Sequence, residues 1–132
     1  MPEMILLDTN VLVWAVGDTK KLSKPAASVI RRARKDGGIA ISAISLYEVA
    51  LLVSSGCIQA YGTVEASVEL LLDGVTIRPI TPEIAALAVQ FPQEYSRDPV
   101  DRLIGATARA EGLTLVTRDE NIRRSALLKT LW

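Results

Sequence analysis

Histidine is absent from the 132-residue chain. A Ser-His-Asp triad, an imidazole acid or base and a His-ligated zinc site are therefore excluded. Cysteine occurs once, at Cys57, which rules out an intramolecular disulfide or a multi-thiolate metal site and fits a reducing, cytoplasmic setting. Excess charge is missing too: 15 basic and 15 acidic residues cancel, so any surface for a polyanion must be local. No apolar run approaches the roughly 20 residues of a membrane span. The opening Met1-Pro2-Glu3-Met4-Ile5-Leu6-Leu7-Asp8 lacks the basic leader and long apolar stretch of a signal peptide, so no membrane partner is expected. A Gly-rich phosphate loop is lacking as well, against a P-loop nucleotidase. Catalysis is left to carboxylates, hydroxyls, lysine or arginine.

What is present suits a globular protein. The chain is 49% hydrophobic and 23% charged, and its length predicts one domain over residues 1–132 with one sizeable core. Ile5-Leu6-Leu7, a short apolar run ended by Asp8, predicts a buried parallel strand. Helices follow at 10–16 and 26–35, the second capped by Ser23, with Pro25 in its first turn and Gly37-Gly38 past its end. Ile39-Ala40-Ile41 is the second strand, and Ser45 opens a helix over 45–54, stopped by Gly56. A helix at 64–72, a strand at 75–78, helices at 81–89 and 98–111, a strand at 113–117 and a short helix around Ile122 complete the order. Strands alternating with helices predict an α/β fold whose mostly parallel sheet is covered on both faces. Ligands of such sheets bind beyond the carboxyl ends of the strands.

Acidic residues recur at those ends. Asp8 follows the first strand in Leu7-Asp8-Thr9-Asn10, where it is equally a helix cap or a hard-metal ligand oriented by Thr9 and Asn10. Glu48 lies one turn beyond the second strand, but Ser45-Leu46-Tyr47-Glu48 also spells a capping box, and that plainer account is favoured for it taken alone. Asp98-Pro99 is a good cap and first-turn pair, and Asp101 suits the helix dipole; both carboxylates nonetheless sit on one side of a helix start. Asp119 follows the fourth strand in Val116-Thr117-Arg118-Asp119, where a polar loop residue alone means little. In a parallel sheet all of them gather at one rim.

Clustered carboxylates repel one another and call for a counter-charge. Oxygen ligands without histidine or thiolate suit Mg²⁺ or Mn²⁺, which commonly complete their shells with phosphate oxygens. A phosphodiester is the natural substrate class. Arg102 and Arg118 flank the acids as candidate phosphate contacts, with Arg97, Arg123 and Arg124 behind them; Arg31, Arg32, Arg34 and Lys35 form a solvated helix face.

In this order, Leu7-Asp8-Thr9-Asn10, the acid of Ser45-x-x-Glu48, Asp98-Pro99-Val100-Asp101-Arg102-Leu103-Ile104 and Thr117-Arg118-Asp119 resemble the PIN-domain ribonucleases, and within them the VapC-type toxins of toxin–antitoxin pairs. The likeness spans essentially the whole chain. It implies a three-layer α/β/α fold and Mg²⁺- or Mn²⁺-dependent cleavage of RNA. It also implies catalytic, metal-holding roles for Asp8, Glu48, Asp101 and Asp119, with Asp98 and Thr117 in support. Members of the family pair as homodimers and are held inactive by a small antitoxin from a neighbouring gene. Gly105 departs from the alanine or leucine more usual at its place.

The chief alternative is a catalytically silent PIN-like module that binds RNA or protein. A haloacid-dehalogenase-like phosphatase wants a second aspartate where Asn10 stands, and a receiver domain wants an acidic pair before the first strand ends. The segment 46–58, apolar around much of its circumference, is either a groove for a partner's helix, a homodimer interface or a doubly buried helix.

Overall fold

A computed structural model describes residues 3–132. Its first strand, β1 (Ile5–Leu7), is buried throughout, and its alternation decides the layering. Ile5 and Leu7 enter one hydrophobic core, whereas Leu6 between them enters another. The second strand, β2 (Ile39–Ser42), repeats this, with Ile39 and Ile41 in the first core and Ala40 in the second. Strands with apolar side chains on both faces need helices on both faces. Each large aliphatic side chain so buried contributes about 1.5–3 kcal/mol.

The helices divide accordingly. α1 (Thr9–Gly17), α2 (Lys24–Lys35), α3 (Ala43–Ser54) and α4 (Val64–Leu71) pack on the first core. α5 (Pro82–Gln90), α6 (Pro99–Glu111) and α7 (Glu120–Arg124) pack on the second. The result is the three-layer α/β/α arrangement expected from the resemblance. Caps set the helix starts: the side chains of Ser23, Thr63 and Thr81 accept from the third N–H beyond them, in Ala26, Ala66 and Ile84. Pro25, Pro82 and Pro99 occupy first-turn positions where no N–H is needed.

With β3 (Val75–Arg78), β4 (Thr114–Val116) and β5 (Thr130–Leu131) the sheet runs β3-β2-β1-β4-β5, and every neighbouring pair is parallel. The chain winds outward from β1 to β3, then returns to place β4 on the other side of β1. The order therefore reverses between β1 and β4, and it is outside the carboxyl ends of the strands at such a switch that a crevice opens. Arg78 on the edge strand pairs with Glu111 at 2.6 Å, tying β3 to the end of α6.

Three local features differ from the sequence-based expectation. β5 joins the sheet as a two-residue strand, and a 3-10 turn at Thr19–Lys21 follows α1. α3 starts at Ala43 with Ser42 as its cap, so Ser45 lies inside the helix. The capping-box account of Glu48 falls with that shift.

Candidate active site

A cavity of about 520 Å³ lies beyond the ends of β1, β2 and β4. Asp8, Glu48, Asp98, Asp101 and Asp119 all line it, so the five acids picked out in the sequence come together. Arg118 is its one basic lining residue among those described.

Three of the acids cap helices and line the cavity at once, so the two accounts weighed for them are compatible. Asp8 Oδ1 accepts the Thr9 N–H at 2.9 Å at the start of α1, while Oδ2 accepts the Thr117 hydroxyl at 2.9 Å. Asp98 accepts the Val100 N–H at 2.8 Å at the start of α6, and Asp119 accepts the Ile122 N–H at 3.1 Å at the start of α7. Three helix N-termini, each with partial positive charge, thus converge on the acidic cavity and oppose the repulsion within it.

Hydroxyl groups fix the remaining geometry. Thr117 is fully buried at the end of β4; it donates to Asp8 and accepts the Asp119 N–H at 3.2 Å, bridging the two carboxylate-bearing turns. Thr9 is buried, and its hydroxyl donates to Glu48 and shares a 2.9 Å hydrogen bond with the buried Ser45. Thr9 therefore holds Asp8 through its backbone and Glu48 through its side chain. Asn10 is exposed and lines the cavity mouth. Asp101 accepts the Ser96 hydroxyl at 3.0 Å, and the same oxygen of Ser96 accepts the Asp98 N–H at 3.1 Å.

Two further residues belong to the site: Ser45, which in the sequence reads only as a helix cap, and Ser96, which is not conspicuous there. Ser45 had a signal, since residues three apart share a helix face and Glu48 is on it. Ser96 had none beyond its proximity to Asp98, because its partner Asp101 comes within reach only once α6 has formed.

Arg102 is a correction. One residue along a helix turns a side chain by about 100°, so Arg102 points away from the cavity that Asp101 lines. Its guanidinium donates to the backbone carbonyls of Ala88, Val89, Phe91, Pro92 and Ser96. All of its donor capacity holds the end of α5 and the loop after it, leaving nothing for phosphate. Arg118 does sit at the cavity, with its guanidinium carbon 5.9 Å from the centre of the Trp14 ring. Arg31, Arg32, Arg34 and Lys35 are exposed on α2, as expected.

The electrostatics report crowding. Burial pushes the Asp101 carboxyl up to about 6, with the charges of Asp8, Asp98 and Asp119 adding to the shift and the Ser96 hydrogen bond opposing it. Burial also raises Asp8 against its bonds from Thr117 and Thr9, with Asp119 and Asp98 adding to the rise. Glu48 is raised first by burial and then by Asp8 and Asp98, and lowered by Thr9. Carboxyls raised this way bind a proton or a cation readily. Their oxygen-only chemistry fits Mg²⁺ or Mn²⁺. Among the described residues no three His, Cys, Asp or Glu side chains stand close enough to hold a metal ion between them; the acids share one cavity without forming a closed cage.

Comparison with known proteins gives a consistent picture. The family profile described as PIN domain matches residues 5–127. Ribonuclease VapC22 of Mycobacterium tuberculosis is 38% identical over 119 residues, covering 90% of this chain and 89% of that protein. A toxin-antitoxin complex from Klebsiella pneumoniae superposes with a TM-score of 0.65 at 25% identity over 94% of each chain. VapBC2 from Rickettsia felis, bound to a DNA fragment from their promoter, gives 0.76 at 22% identity over 97% of each, a likeness of fold.

Proposed function

The chain belongs to the PIN-domain family, and on that footing we propose that it is a metal-dependent endoribonuclease acting as the toxin of a toxin–antitoxin pair, one domain working in the cytoplasm. The observation that carries this reading is the gathering of five carboxylates from four separate segments into one cavity at the sheet's switch point, three of them raised by burial. Intact acids at all four family positions argue against a catalytically silent module, and measured cleavage separates the two. The relative that is 38% identical is a ribonuclease.

Asp8, Glu48, Asp101 and Asp119 would hold Mg²⁺ or Mn²⁺, with Asp98 in support. When bound, the ion supplies Lewis-acid neutralisation of the phosphate and a water of lowered pKa. The protein's own part is positional. Thr117 and the Thr9 N–H fix both oxygens of Asp8, the Thr9 hydroxyl fixes Glu48, and Ser96 fixes Asp101. Arg118, the one arginine lining this cavity among the described residues, meets the scissile phosphate of the RNA, since Arg102 is committed elsewhere.

An antitoxin partner also fits the surface. α3 buries Val49 and Val53 but leaves Tyr47 at 63% and Leu51 at 49% exposure, so it is not doubly buried. Leu52, Ile58 and Leu71 line a groove of about 640 Å³ against α1 and α4, apolar enough to take a partner's helix, with a second copy of the chain as the other occupant of an exposed apolar face.

Cleavage of mixed RNAs by metal-stripped protein, with and without Mn²⁺, tests the assignment. Cutting should require the ion and disappear in Asp8→Asn and Asp101→Asn, which keep shape while removing charge. Glu48→Gln and Asp119→Asn should lose activity less completely. Near wild-type rates in either of the first two variants would place the chemistry elsewhere.

A further inference from the structure

An acidic cavity by itself repels the polyanion it is meant to cut. Something beside it must attract the strand. The chain has only two tryptophans, Trp14 and Trp132, and they meet edge to face with ring centres 6.0 Å apart. Trp14 lines the acidic cavity, where Arg118 lies over its ring. Trp132 lines a second cavity of about 650 Å³, whose walls carry Arg123, Arg124 and Glu120. A continuous line therefore leads from the carboxylates through Arg118 and Trp14 to Trp132 and the arginines of α7.

Both tryptophans also touch the edge of the first core, and packing alone would account for one half-buried aromatic. It does not account for their common placement, each lining a cavity that an arginine lines as well. The edge-to-face contact uses one face of one ring and Arg118 lies over Trp14. Both indoles still line open cavities, and the surface they show there is free for another planar group. Arg123 and Arg124 are exposed in the last turn of α7; Arg124 reaches Glu120 only at 3.4 Å, with both side chains 75% exposed. Such a pair is weak and gives way readily to a phosphate.

Resting on the ribonuclease reading, we propose that Trp14, Trp132, Arg118, Arg123 and Arg124 form a binding track for unpaired nucleotides flanking the scissile phosphate. The bases stack on the indoles and the phosphates follow the arginines. Such a surface selects single-stranded RNA, since paired bases hide their faces inside the duplex. Stacking of one base on an aromatic side chain corresponds to about five-fold or more in affinity.

The two tryptophans make the track visible, because all indole fluorescence comes from it. In EDTA, which stops metal-dependent cutting, an unstructured octaribonucleotide of mixed sequence should quench the emission of the full chain, and a blunt duplex of the same length should not. Arg123→Ala combined with Arg124→Ala keeps both indoles and alters only exposed side chains. It should raise the concentration for half-quenching about five-fold and flatten its dependence on salt. Trp132→Phe should retain binding and Trp132→Leu should lose it. In the presence of Mn²⁺, the gain in kcat/KM on lengthening the substrate beyond a dinucleotide should be smaller in Trp132→Leu than in wild type. Absence of quenching, equal quenching by duplex, or an unchanged midpoint in the double arginine variant would overturn the track. Quenching without any cutting would keep the track and remove the ribonuclease, whereas cutting without quenching would do the reverse.

Discussion

Asp101 holds its proton up to about pH 6 because it is buried among like charges, and Asp8 and Glu48 are raised in the same direction. For Asp101 the folded state binds more protons than the unfolded one from pH 3.8 to about 6, and Asp8 and Glu48 shift in the same direction. Stability contributed by them is therefore present at low pH and lost as pH rises through that window. Metal-free protein should melt at a lower temperature at pH 7 than at pH 5, and Asp101→Asn should flatten the difference. Millimolar Mn²⁺ should restore the melting temperature at pH 7, since an ion that binds only the folded state stabilises it by mass action. Calorimetry at the two pH values decides; a melting temperature that climbs from pH 5 to 7 without metal would contradict the crowding. Gly105 poses a different single-residue question. A Cβ there would lie 2.0 Å from the Tyr95 hydroxyl and 2.6 Å from the ring carbon bearing it. Glycine is thus demanded by the buried Tyr95 ring, which explains the departure from alanine or leucine. Gly105→Ala should cost about 1–3 kcal/mol by overpacking. Adding Tyr95→Phe should recover only part, because the ring carbon still clashes. Urea denaturation showing no loss in Gly105→Ala would mean that the ring moves freely.

Arg102 works at the scale of elements. It joins the last turn of α5, the loop at 91–98 and the first turn of α6, and the carbonyl it holds in Ser96 belongs to the residue whose hydroxyl fixes Asp101. Lysine has three donors on a point charge and cannot replace a planar fork serving five carbonyls. Arg102→Lys should lower stability by on the order of 2–4 kcal/mol and lower kcat with KM little changed, as Asp101 loses its partner while Arg118 remains. Unaltered melting and turnover would show the clasp to be dispensable. A motif gave no warning of this, since an arginine beside an aspartate in an acidic site looks like a phosphate contact until the helix rotation is known. Other elements were plainer. Ser23, Thr81 and Asp98 stand where caps are found, with proline one or two residues after each, and the apolar strands β1 and β2 announce themselves by their length and end residues. Two features had no local mark. β5 is two residues long and pairs with β4 only through the closing of the sheet. The start of α3 moved back because Ser42, at the end of β2, reached the Ile44 N–H first, at 3.3 Å.

At the scale of the whole molecule, the sheet order β3-β2-β1-β4-β5 is a matter of long-range pairing that periodicity does not carry, whereas a common rim for the acids follows from parallel strands in any order. The order then makes β1, β2 and β4 neighbours and closes that rim into one cavity. That asymmetry explains why Asp8, Glu48, Asp98, Asp101 and Asp119 were legible together while Ser45, Ser96 and the fate of Arg102 were not. The same geometry bears on control. The acidic cavity and the groove between α1, α3 and α4 share Asn10, Trp14 and Leu52. A partner helix lying in the groove would end close to the carboxylates, and a basic side chain on it would enter the cavity as a counter-charge competing with the metal. Leu70, at 62% exposure, lies in the groove but not in the acidic cavity. Growth of the host should stop when the wild-type chain is expressed alone, continue with Asp8→Asn, and recover when the small antitoxin gene is co-expressed. Leu70→Lys should remain toxic and resist that rescue, because it spoils the groove while leaving the carboxylates in place. Full rescue of Leu70→Lys would move the antitoxin to another face, and harmless expression of a chain shown to cut RNA would leave the ribonuclease and remove the toxin.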